Sequence, residues 1–295
     1  PSGTLAPTLL ADPHLAGVAF TGSTETARRI ERALAAREGP SVPLIAETGG
    51  QNAMIVDSSA LPEQVVADVM QSAFASAGQR CSALRVLFIQ EEAIDRTLAM
   101  LRGAMAELRI GDPMALATDV GPVIDGEAVE KLQGHIERMR REARLIYECT
   151  LPGTTTQRGT FVPPCAFAIE RLAQLPGEVF GPVLHVIRYA SDRLDEVIEQ
   201  INATGYGLTL GIHSRVDETA RYIHERTRVG NVYVNRNMIG AVVGVQPFGG
   251  MGLSGTGPKA GGPGYLHRFA VERTLTVNTA AAGGNAALLA DEGGE

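Results

Sequence analysis

The cysteine at position 81 is the first residue whose surroundings could support chemistry. It stands in the stretch AGQRCSAL, residues 77–84, between a predicted helix and a predicted strand. Gly78 gives the loop a flexible approach and Arg80 places a cation nearby, and either feature favours the thiolate, the nucleophilic form of the side chain. A lone cysteine is also commonly a small apolar residue that fills a gap in a core. Taken alone, these residues leave both roles open.

Glu47 is a second residue at a position that suits chemistry. It follows a predicted buried strand at 42–46 and precedes the turn Thr48-Gly49-Gly50. Parallel α/β folds bind their ligands beyond the carboxyl ends of the strands. The two glycines of the turn, which carry no Cβ, let a ligand approach the backbone closely. Glu47 is therefore a candidate acid or base, and a solvated turn glutamate is the alternative.

Two glycine-containing segments differ in what they can bind. Gly22, Ser23 and Thr24 open a predicted helix directly after a strand, so backbone amides at the positive end of the helix dipole suit a phosphate. Any strand–turn–helix unit gives similar geometry, so this segment indicates an anion site only in general terms. Residues 250–255 fit the pattern GxGxxG, but Pro258 and further glycines prevent a following helix. We interpret this second segment as a turn-rich loop.

Alternating strands and helices must position these residues. Residues 15–20 and 42–46 are predicted to be short strands, joined by a helix that Ser23 or Thr24 caps and Gly39-Pro40 ends. This βαβ unit is typical of a parallel sheet. Apolar periodicity predicts further helices at 63–77, 92–108, 126–143, 192–203 and 216–228, and strands at 53–56, 84–90, 144–149, 183–189, 208–213 and 231–234. The fold class predicted for the chain is therefore α/β.

Charge and composition argue against several classes of partner. The chain has 295 residues, a net charge of −7, 44% apolar residues and 20% charged residues, which is typical of a globular protein that binds neither nucleic acid nor an anionic membrane. Its apolar runs are too short for a membrane span. The three cysteines, Cys81, Cys149 and Cys165, form no CxxC motif, so we expect a reducing compartment, the cytoplasm. The six histidines show no metal-ligand spacing, so we expect no metal site.

Five ordered motifs resemble those of the aldehyde dehydrogenase superfamily. They are FTGST at 20–24, ETGGQN at 47–52, GQRCSA at 78–83, EVFGPVL at 178–184 and PFGGMGLSG at 247–255. Glu47 precedes Cys81 by 34 residues and Glu178 follows it by 97, and this spacing also agrees with the family. Longer stretches, such as SAGQRCSALRVL and NRNMIGAVVGVQPFGGMGLSGTGPKAGGP, resemble the aldehyde dehydrogenase half of the bifunctional proline utilisation A family.

The resemblance implies an aldehyde dehydrogenase fold, with part of a Rossmann-like NAD domain and an α/β catalytic domain. In that bifunctional family one half oxidises proline with FAD. The other half oxidises L-glutamate γ-semialdehyde, formed from Δ1-pyrroline-5-carboxylate, to L-glutamate with NAD. This chain resembles the second half. The resemblance implies NAD as the cofactor and does not exclude NADP, whereas FAD would belong only to the proline-oxidising half, which these residues do not cover. Another semialdehyde dehydrogenase and a non-catalytic assembly module stay open as alternatives.

The resemblance also implies roles for individual residues. Cys81 would attack the aldehyde carbon to give a thiohemiacetal, and hydride transfer to NAD would leave a thioester. Glu47 would activate the water that hydrolyses this thioester, and the backbone N–H of Cys81 would help to hold the oxyanion. The cofactor would be bound by Gly22, Ser23, Thr48, Gly49, Glu178 and Phe180. The distal carboxylate of the substrate would be bound by Ser82, Gly240 and Ala241, with Phe248 beside the methylene groups.

Comparison with the family pattern predicts that this chain is a C-terminal fragment. Residues 1–49 would be the remaining part of the NAD domain and 50–248 the catalytic domain. Residues 249–278 would form a return loop that leads to an oligomerisation strand, RTLTVNT, and 279–295 a loosely ordered tail. Members of the family carry at least a further domain upstream, which supplies an asparagine to the oxyanion hole. We therefore expect the isolated chain to be weakly active or inactive, and its full-length parent to be a homo-oligomer.

Overall fold

Helices and strands alternate along the residues that the computed structural model describes, which are 2–153, 156, 158–242 and 244–278. The helices are α1 (Ser2–Ala11), α2 (Thr24–Ala35), α3 (Pro62–Phe74), α4 (Glu91–Ala106), α5 (Gly126–Glu142), α6 (Leu194–Ala203) and α7 (Asp217–Arg226). The strands are β1 (Val18–Thr21), β2 (Leu44–Glu47), β3 (Ala53–Val56), β4 (Val86–Gln90), β5 (Arg144–Glu148), β6 (Cys165–Ala168), β7 (Val183–Tyr189), β8 (Tyr206–Gly207), β9 (Thr209–His213), β10 (Asn231–Val234) and β11 (Met251–Gly252).

The core of the molecule lies on a seven-stranded sheet with the order β10-β9-β3-β4-β7-β6-β5. Neighbouring strands are parallel except β5, which runs antiparallel to β6. Met54, Leu87, Phe88 and Leu184 in the central strands are completely buried. Central strands of a parallel sheet are covered on both faces, and their sequences are therefore continuously apolar. Burial of each such side chain stabilises the fold by about 1.5–3 kcal/mol.

The predicted βαβ unit forms a second, smaller sheet. Strands β1 and β2 pair in parallel, and α2 connects them. The side chain of Ser23 accepts a hydrogen bond from the backbone N–H of Thr26 at 3.2 Å, so Ser23 is the N-cap of α2. The cap satisfies one of the free amides of the first helical turn. This structure confirms the sequence-based prediction of the unit and decides between the two candidate caps.

The helix predicted at 63–77 ends earlier than expected. The α-helix α3 stops at Phe74 and continues as a 3-10 turn, Ala75–Gly78. Ser76, Ala77 and Gly78 have φ angles of 56°, 54° and 65°, which place all three in the left-handed region that disfavours residues with a Cβ. The chain therefore turns sharply at this point and enters the loop that carries Cys81.

Several other elements differ from the sequence-based prediction. Helix α1 and strand β6 were not predicted, because α1 contains Pro7 and β6 has four residues that become a strand only by pairing with β5 and β7. The predicted oligomerisation strand RTLTVNT has no strand structure in the single chain over its described part, residues 273–278. It was predicted to pair across subunits, so it stays a prediction. The tail predicted at 279–295 lies outside the described residues.

Two further properties bear on function. None of the helices in the described residues is long and apolar enough to cross a membrane. Within the same residues, no group of three or more His, Cys, Asp or Glu side chains is placed to hold a metal ion.

Candidate active site

A cleft of about 850 Å³ lies where the small sheet meets the loop of Cys81. Its walls are formed by Thr21, Gly22, Ser23, Glu47, Thr48, Gly49, Gln79, Arg80, Cys81, Ser82, Glu178, Phe180, Ala241 and Phe248. Every site residue predicted from the sequence lines this cleft except Gly240. Gly240 is exposed, has a φ of 72° and directly precedes Ala241. Residues separated by more than two hundred positions thus meet in one cavity.

The Cys81 loop is fixed by the side chain of Asn52. Its Nδ2 group donates hydrogen bonds to the backbone oxygens of Cys81 at 2.6 Å and Ala83 at 2.9 Å. Its Oδ1 atom accepts from the backbone N–H of Thr209 at 3.2 Å. Asn52 is buried, and its side-chain amide joins the Cys81 loop to β9. Sequence analysis placed Asn52 in a motif but gave it no role.

Arg85 is a second residue that the sequence analysis did not single out. Its guanidinium is completely buried and donates to the backbone oxygens of Gly78 at 2.5 Å and Arg80 at 2.9 Å. It also forms an ion pair with Glu178, with Nη2 and Oε1 3.1 Å apart. Burial lowers the pKa of Arg85 and Glu178 raises it. The sequence shows only an arginine at the start of an apolar strand, which gives no sign of these partners.

The carboxyl group of Glu47 points into the cleft at the end of β2. Its Oε2 atom accepts a hydrogen bond from the backbone N–H of Gly250 at 3.0 Å, whereas its Oε1 atom is buried without a partner among the described residues. Burial raises the pKa of Glu47 to about 7, and the Gly250 amide and the Lys259 cation oppose this shift. A carboxyl group with a pKa near 7 is suited to accept and release protons at neutral pH.

The thiol of Cys81 is half-buried, and its pKa is raised. Burial is the main cause, the backbone amide of Ser82 opposes it, and the charges of Glu178 and Glu47 add to it. The causes of this shift do not include the cation of Arg80, whose Nε donates to the Ser76 hydroxyl at 3.1 Å. The thiol therefore needs a proton acceptor before it can act as a nucleophile.

Glu178 and Phe180 stand together on the opposite wall. Burial raises the pKa of Glu178, and Arg85 and the backbone amide of Gly50 oppose the shift. Gly49 must be glycine here, since a Cβ at this position would lie 1.7 Å from Oε2 of Glu178. The ring of Phe180 is 44% exposed and covers the Arg85 guanidinium at 5.0 Å. A carboxylate next to an open aromatic face can bind a sugar and an adjoining planar ring.

The remaining predicted cofactor residues lie at the junction of β1, β2 and α2. The backbone N–H of Gly22 donates to the Glu47 carbonyl at 3.1 Å, and a Cβ on Gly22 would meet the ring of Phe20 at 2.5 Å. Thr48 is buried, and its hydroxyl donates to the Leu253 carbonyl at 2.6 Å. Ser23 forms the cap described above. Close backbone packing and a helix N-terminus meet at this end of the cleft, which suits an anionic ligand.

The predicted substrate residues occupy the other end of the cleft. Ser82 is buried, and its backbone oxygen accepts from the Thr209 hydroxyl at 3.1 Å. Phe248 is held by a pair of backbone hydrogen bonds with Ala260, at 3.0 and 2.8 Å. Ala241 completes the wall on this side. The structure therefore brings a hydroxyl-bearing residue, a glycine-flanked loop and an aromatic ring together beside Cys81.

A neighbouring cleft of about 610 Å³ shares Glu178 and Phe180 with the first. Helix α5 contributes Lys131 and His135 to its other wall. Lys131 forms an ion pair with Glu127 at 2.6 Å. Sequence analysis missed this cleft because Lys131 and His135 belong to a helix that is distant in the sequence and has an ordinary charged face.

Comparison with known proteins agrees with this geometry. The model of the aldehyde dehydrogenase family matches residues 2–275. The bifunctional protein PutA of Klebsiella aerogenes is 58% identical over 277 residues, which cover 92% of this chain and 21% of that protein. This chain therefore spans about a fifth of the length of that curated relative.

Solved structures give the same relationship. A crystal structure of bifunctional proline utilization A (PutA) matches with a TM-score of 0.90 and 62% identity, covering 95% of this chain and 28% of that chain. A 1-pyrroline-5-carboxylate dehydrogenase from Thermus, solved with bound NAD, matches with a TM-score of 0.83 and 34% identity, covering 91% of this chain and 52% of that chain. The predicted resemblance and the predicted α/β fold are confirmed, and the chain belongs to the aldehyde dehydrogenase family.

Proposed function

We propose that the protein containing this chain oxidises L-glutamate γ-semialdehyde to L-glutamate with NAD. The observation that carries the proposal is the meeting of Cys81 and Glu47 in one cleft with the carboxylate of Glu178. Similarity to PutA and to 1-pyrroline-5-carboxylate dehydrogenase supports the choice of substrate. Proline catabolism is the corresponding biological role, and we propose the cytoplasm as its compartment.

The proposed reaction begins at the sulfur of Cys81. A base takes the thiol proton, and Sγ forms a bond to the aldehyde carbon, giving a thiohemiacetal whose oxyanion the Cys81 backbone N–H stabilises. NAD, when bound, supplies the acceptor for the hydride that leaves this carbon, so a thioester remains on Cys81. Glu47 then takes a proton from water, the water oxygen adds to the thioester carbon, and the carbon–sulfur bond breaks. The net change consumes one water and one NAD⁺, and it releases glutamate, with its new carboxylate ionised, NADH and two protons.

The cofactor is proposed to lie along the walls formed by six residues already predicted. The carboxylate of Glu178 would accept hydrogen bonds from ribose hydroxyls, and the exposed ring of Phe180 would pack beside them. The pyrophosphate would lie at the N-terminus of α2 beside Gly22 and Ser23. The nicotinamide end would lie near Thr48 and Gly49. The pocket residues fit NAD, and they leave NADP open.

The far carboxylate of the substrate is proposed to lie at the end of the cleft formed by Ser82, Gly240 and Ala241. A hydroxyl and backbone amides can bind a carboxylate without an arginine. Phe248 would cover the methylene groups between the two ends of the substrate. Substitution Ser82→Ala should lower kcat/KM for the semialdehyde but leave an uncharged aldehyde of the same length unaffected. Equal losses for both aldehydes would contradict this anchor.

The proposed role of Cys81 as the nucleophile can be tested in the complete protein that the gene encodes. Substitution Cys81→Ser should abolish NADH formation from the semialdehyde, because a serine hydroxyl is a far weaker nucleophile than a thiolate at this position. Cys149→Ser is the matched control, since Cys149 is buried away from the cleft and donates to the Met105 carbonyl. Activity that survives Cys81→Ser would reject the assignment of the nucleophile.

A further inference from the structure

We propose that Arg85 is a positioning residue that couples the cofactor carboxylate of Glu178 to the nucleophile loop of Cys81. This inference rests on the proposed function, because it takes Glu178 as the cofactor ligand and Cys81 as the nucleophile. Arg85 precedes β4 and is 1% exposed. A buried guanidinium is destabilising unless hydrogen bonds and an opposite charge compensate it. The groups that compensate the buried charge of Arg85 therefore indicate its role.

Those partners belong to two separate segments of the cleft. Toward the nucleophile, Nη1 donates to the Gly78 carbonyl at 2.5 Å and Nη2 donates to the Arg80 carbonyl at 2.9 Å. Toward the cofactor wall, Nη2 donates to Glu178 Oε1 at 3.1 Å and Nη1 approaches the Gly181 carbonyl at 3.4 Å. Each terminal nitrogen of the guanidinium thus contacts both segments. A movement of Glu178 must therefore change the hydrogen bonds that hold the residue next to Cys81.

The planar shape of the guanidinium is essential to this arrangement. Its two terminal nitrogens reach four oxygens from a fixed fork, whereas a lysine ammonium has one nitrogen and a compact charge. The ring of Phe180 covers the same group at 5.0 Å, and the backbone of Arg85 is itself held by Asn52 through its N–H. The guanidinium of Arg85 can therefore link a movement of Glu178 to the Cys81 loop only in its present orientation.

Charge adds a second link between the two segments. Burial raises the pKa of Glu178, and Arg85 opposes that shift. The group that holds the Cys81 loop therefore also favours the ionised form of the carboxylate that would bind the ribose. If cofactor binding at Glu178 alters the Cys81 loop, then the state of the loop must alter cofactor affinity by the same factor, because coupling between two sites is reciprocal.

The experiment compares wild type and Arg85→Lys in the protein as its gene encodes it, without aldehyde. NAD affinity is measured by calorimetry, and the reactivity of Cys81 is measured as its rate of alkylation by iodoacetamide, with and without NAD. We expect Arg85→Lys to lower NAD affinity on the order of tenfold and to abolish the effect of NAD on alkylation. Arg188→Lys, a surface substitution whose residue pairs with Asp95, should change neither quantity.

A second variant keeps the test decisive if Arg85→Lys does not fold. Glu178→Gln removes the charge that Arg85 pairs with, so we expect it to change the alkylation rate of Cys81 even without NAD. An unchanged rate in Glu178→Gln, or a wild-type NAD effect in folded Arg85→Lys, would overturn the coupling. If wild type oxidises the semialdehyde in that case, the proposed function stands and only the role of Arg85 is wrong. If wild type neither binds NAD nor oxidises the semialdehyde, both proposals are wrong.

Discussion

The ionisation of Glu47 is controlled by its burial and by two neighbouring groups, the Gly250 amide and the Lys259 cation. Burial makes the charged carboxylate less favourable, and one oxygen has no partner among the described residues. The backbone N–H of Gly250 and the cation of Lys259 work in the opposite direction. The resulting pKa of about 7 means that the protonated and ionised forms coexist at neutral pH. A general base must be ionised to accept a proton from water.

The rate of thioester hydrolysis should therefore rise as the pH rises through about 7. Substitution Glu47→Gln should remove this rise and lower steady-state turnover by about 10²–10⁴-fold, the usual contribution of a positioned base. A first turnover of NADH should still form, because Glu47 acts after hydride transfer. Rapid-mixing measurements of NADH across the pH range would check both points. A pH profile of Glu47→Gln equal to that of wild type would contradict the role.

Asn52 offers a separate prediction at the residue scale. Substitution Asn52→Ala leaves the buried carbonyls of Cys81 and Ala83 without their donor, so we expect the free energy of unfolding to fall by about 1–3 kcal/mol. The alkylation rate of Cys81 should change as well, because the loop loses its anchor. Urea unfolding and iodoacetamide alkylation measure the two effects.

Asn202→Ala is the matched control for this prediction. Asn202 also uses its amide on two backbone groups, the Arg226 carbonyl and the Arg228 N–H, both at 2.8 Å. Its loss should lower stability but leave the Cys81 alkylation rate unchanged. An unchanged alkylation rate in Asn52→Ala would mean that Asn52 supports the fold alone.

These residues show which parts of the site were predictable. Cys81, Glu47 and Glu178 belong to short motifs with characteristic spacing, and they could be assigned from their order in the sequence. Asn52 and Arg85 could not, because their roles depend on carbonyl groups that meet them only after folding. A backbone oxygen has the same chemistry at every position, so the sequence contains no sign of which one a buried side chain will bind.

At the scale of elements, strands that are recognisable from their own residues were predicted accurately, whereas strands that depend on a pairing partner were not. Strands β3, β7 and β10 have the bounds predicted from the sequence, since each is a short segment rich in apolar residues. Strand β6 was missed, and the segment predicted to be the strand RTLTVNT has no strand structure over 273–278 in the single chain. Both cases depend on whether a neighbouring strand is present, and pairing is a property of the tertiary structure.

Helix α5 is joined to the sheet by a chain of hydrogen bonds between two histidines. His185 Nδ1 contacts the Arg85 carbonyl at 3.1 Å, and His185 Nε2 lies 2.8 Å from His135 Nε2. A carbonyl only accepts, so Nδ1 of His185 carries the hydrogen, its Nε2 accepts, and His135 donates. Protonation of His185 would place two N–H groups against each other. The contact therefore requires His185 to be neutral.

This contact should make the fold sensitive to acid. Burial lowers the pKa of His185 to about 3 and that of His135 to about 4. The unfolded chain binds protons at these histidines below about 6.5, where the folded chain resists them. Stability from the pair is therefore complete above about 6.5 and is lost as the pH falls toward 4. For His185 alone, the loss at pH 5 is on the order of 2 kcal/mol.

This loss of stability can be measured by urea unfolding of the complete protein that the gene encodes, at several pH values between about 7.5 and 5. The slope of stability against pH should be shallower in His185→Gln than in wild type. His224→Gln, at an exposed position, should keep the wild-type slope. The raised pKa of Glu47 contributes in the opposite direction, and the comparison between variants removes that contribution. Equal slopes in wild type and His185→Gln would show that the histidine pair does not titrate with folding.

At the scale of the whole molecule, the site depends on a segment that returns to the small sheet. The Thr256 hydroxyl accepts from the Ala46 N–H at 2.9 Å, and the Thr256 N–H donates to the Ala46 carbonyl at 2.9 Å. The Thr48 N–H donates to the Ser254 carbonyl at 3.0 Å. These bonds hold β2 and Glu47 against residues some two hundred positions later in the chain. The predicted domain boundaries at residues 49 and 248 therefore separate segments that together form the candidate active site.

The return segment ends in a surface that we propose to be an interface between copies of the protein that contains this chain. Val271, Leu275 and Val277 have exposed fractions of 85%, 88% and 65%. In an extended chain, residues two apart point to the same side, so these three side chains would form one apolar face if the segment paired with a partner strand. An exposed apolar face is characteristic of a surface for association.

Substitution Leu275→Glu should therefore lower the mass of the assembly that the protein containing this chain forms in solution, because burial of a charge in an apolar interface is unfavourable. Thr276→Glu adds the same charge on the opposite side of the segment and should leave the mass unchanged. Light scattering after size-exclusion chromatography measures the mass directly. A wild-type mass for Leu275→Glu would place any association elsewhere on the molecule, whereas an equal decrease for both variants would indicate an effect of charge alone. A decrease confined to Leu275→Glu identifies the apolar face as the contact and explains why a strand expected from the sequence is unpaired in a single chain.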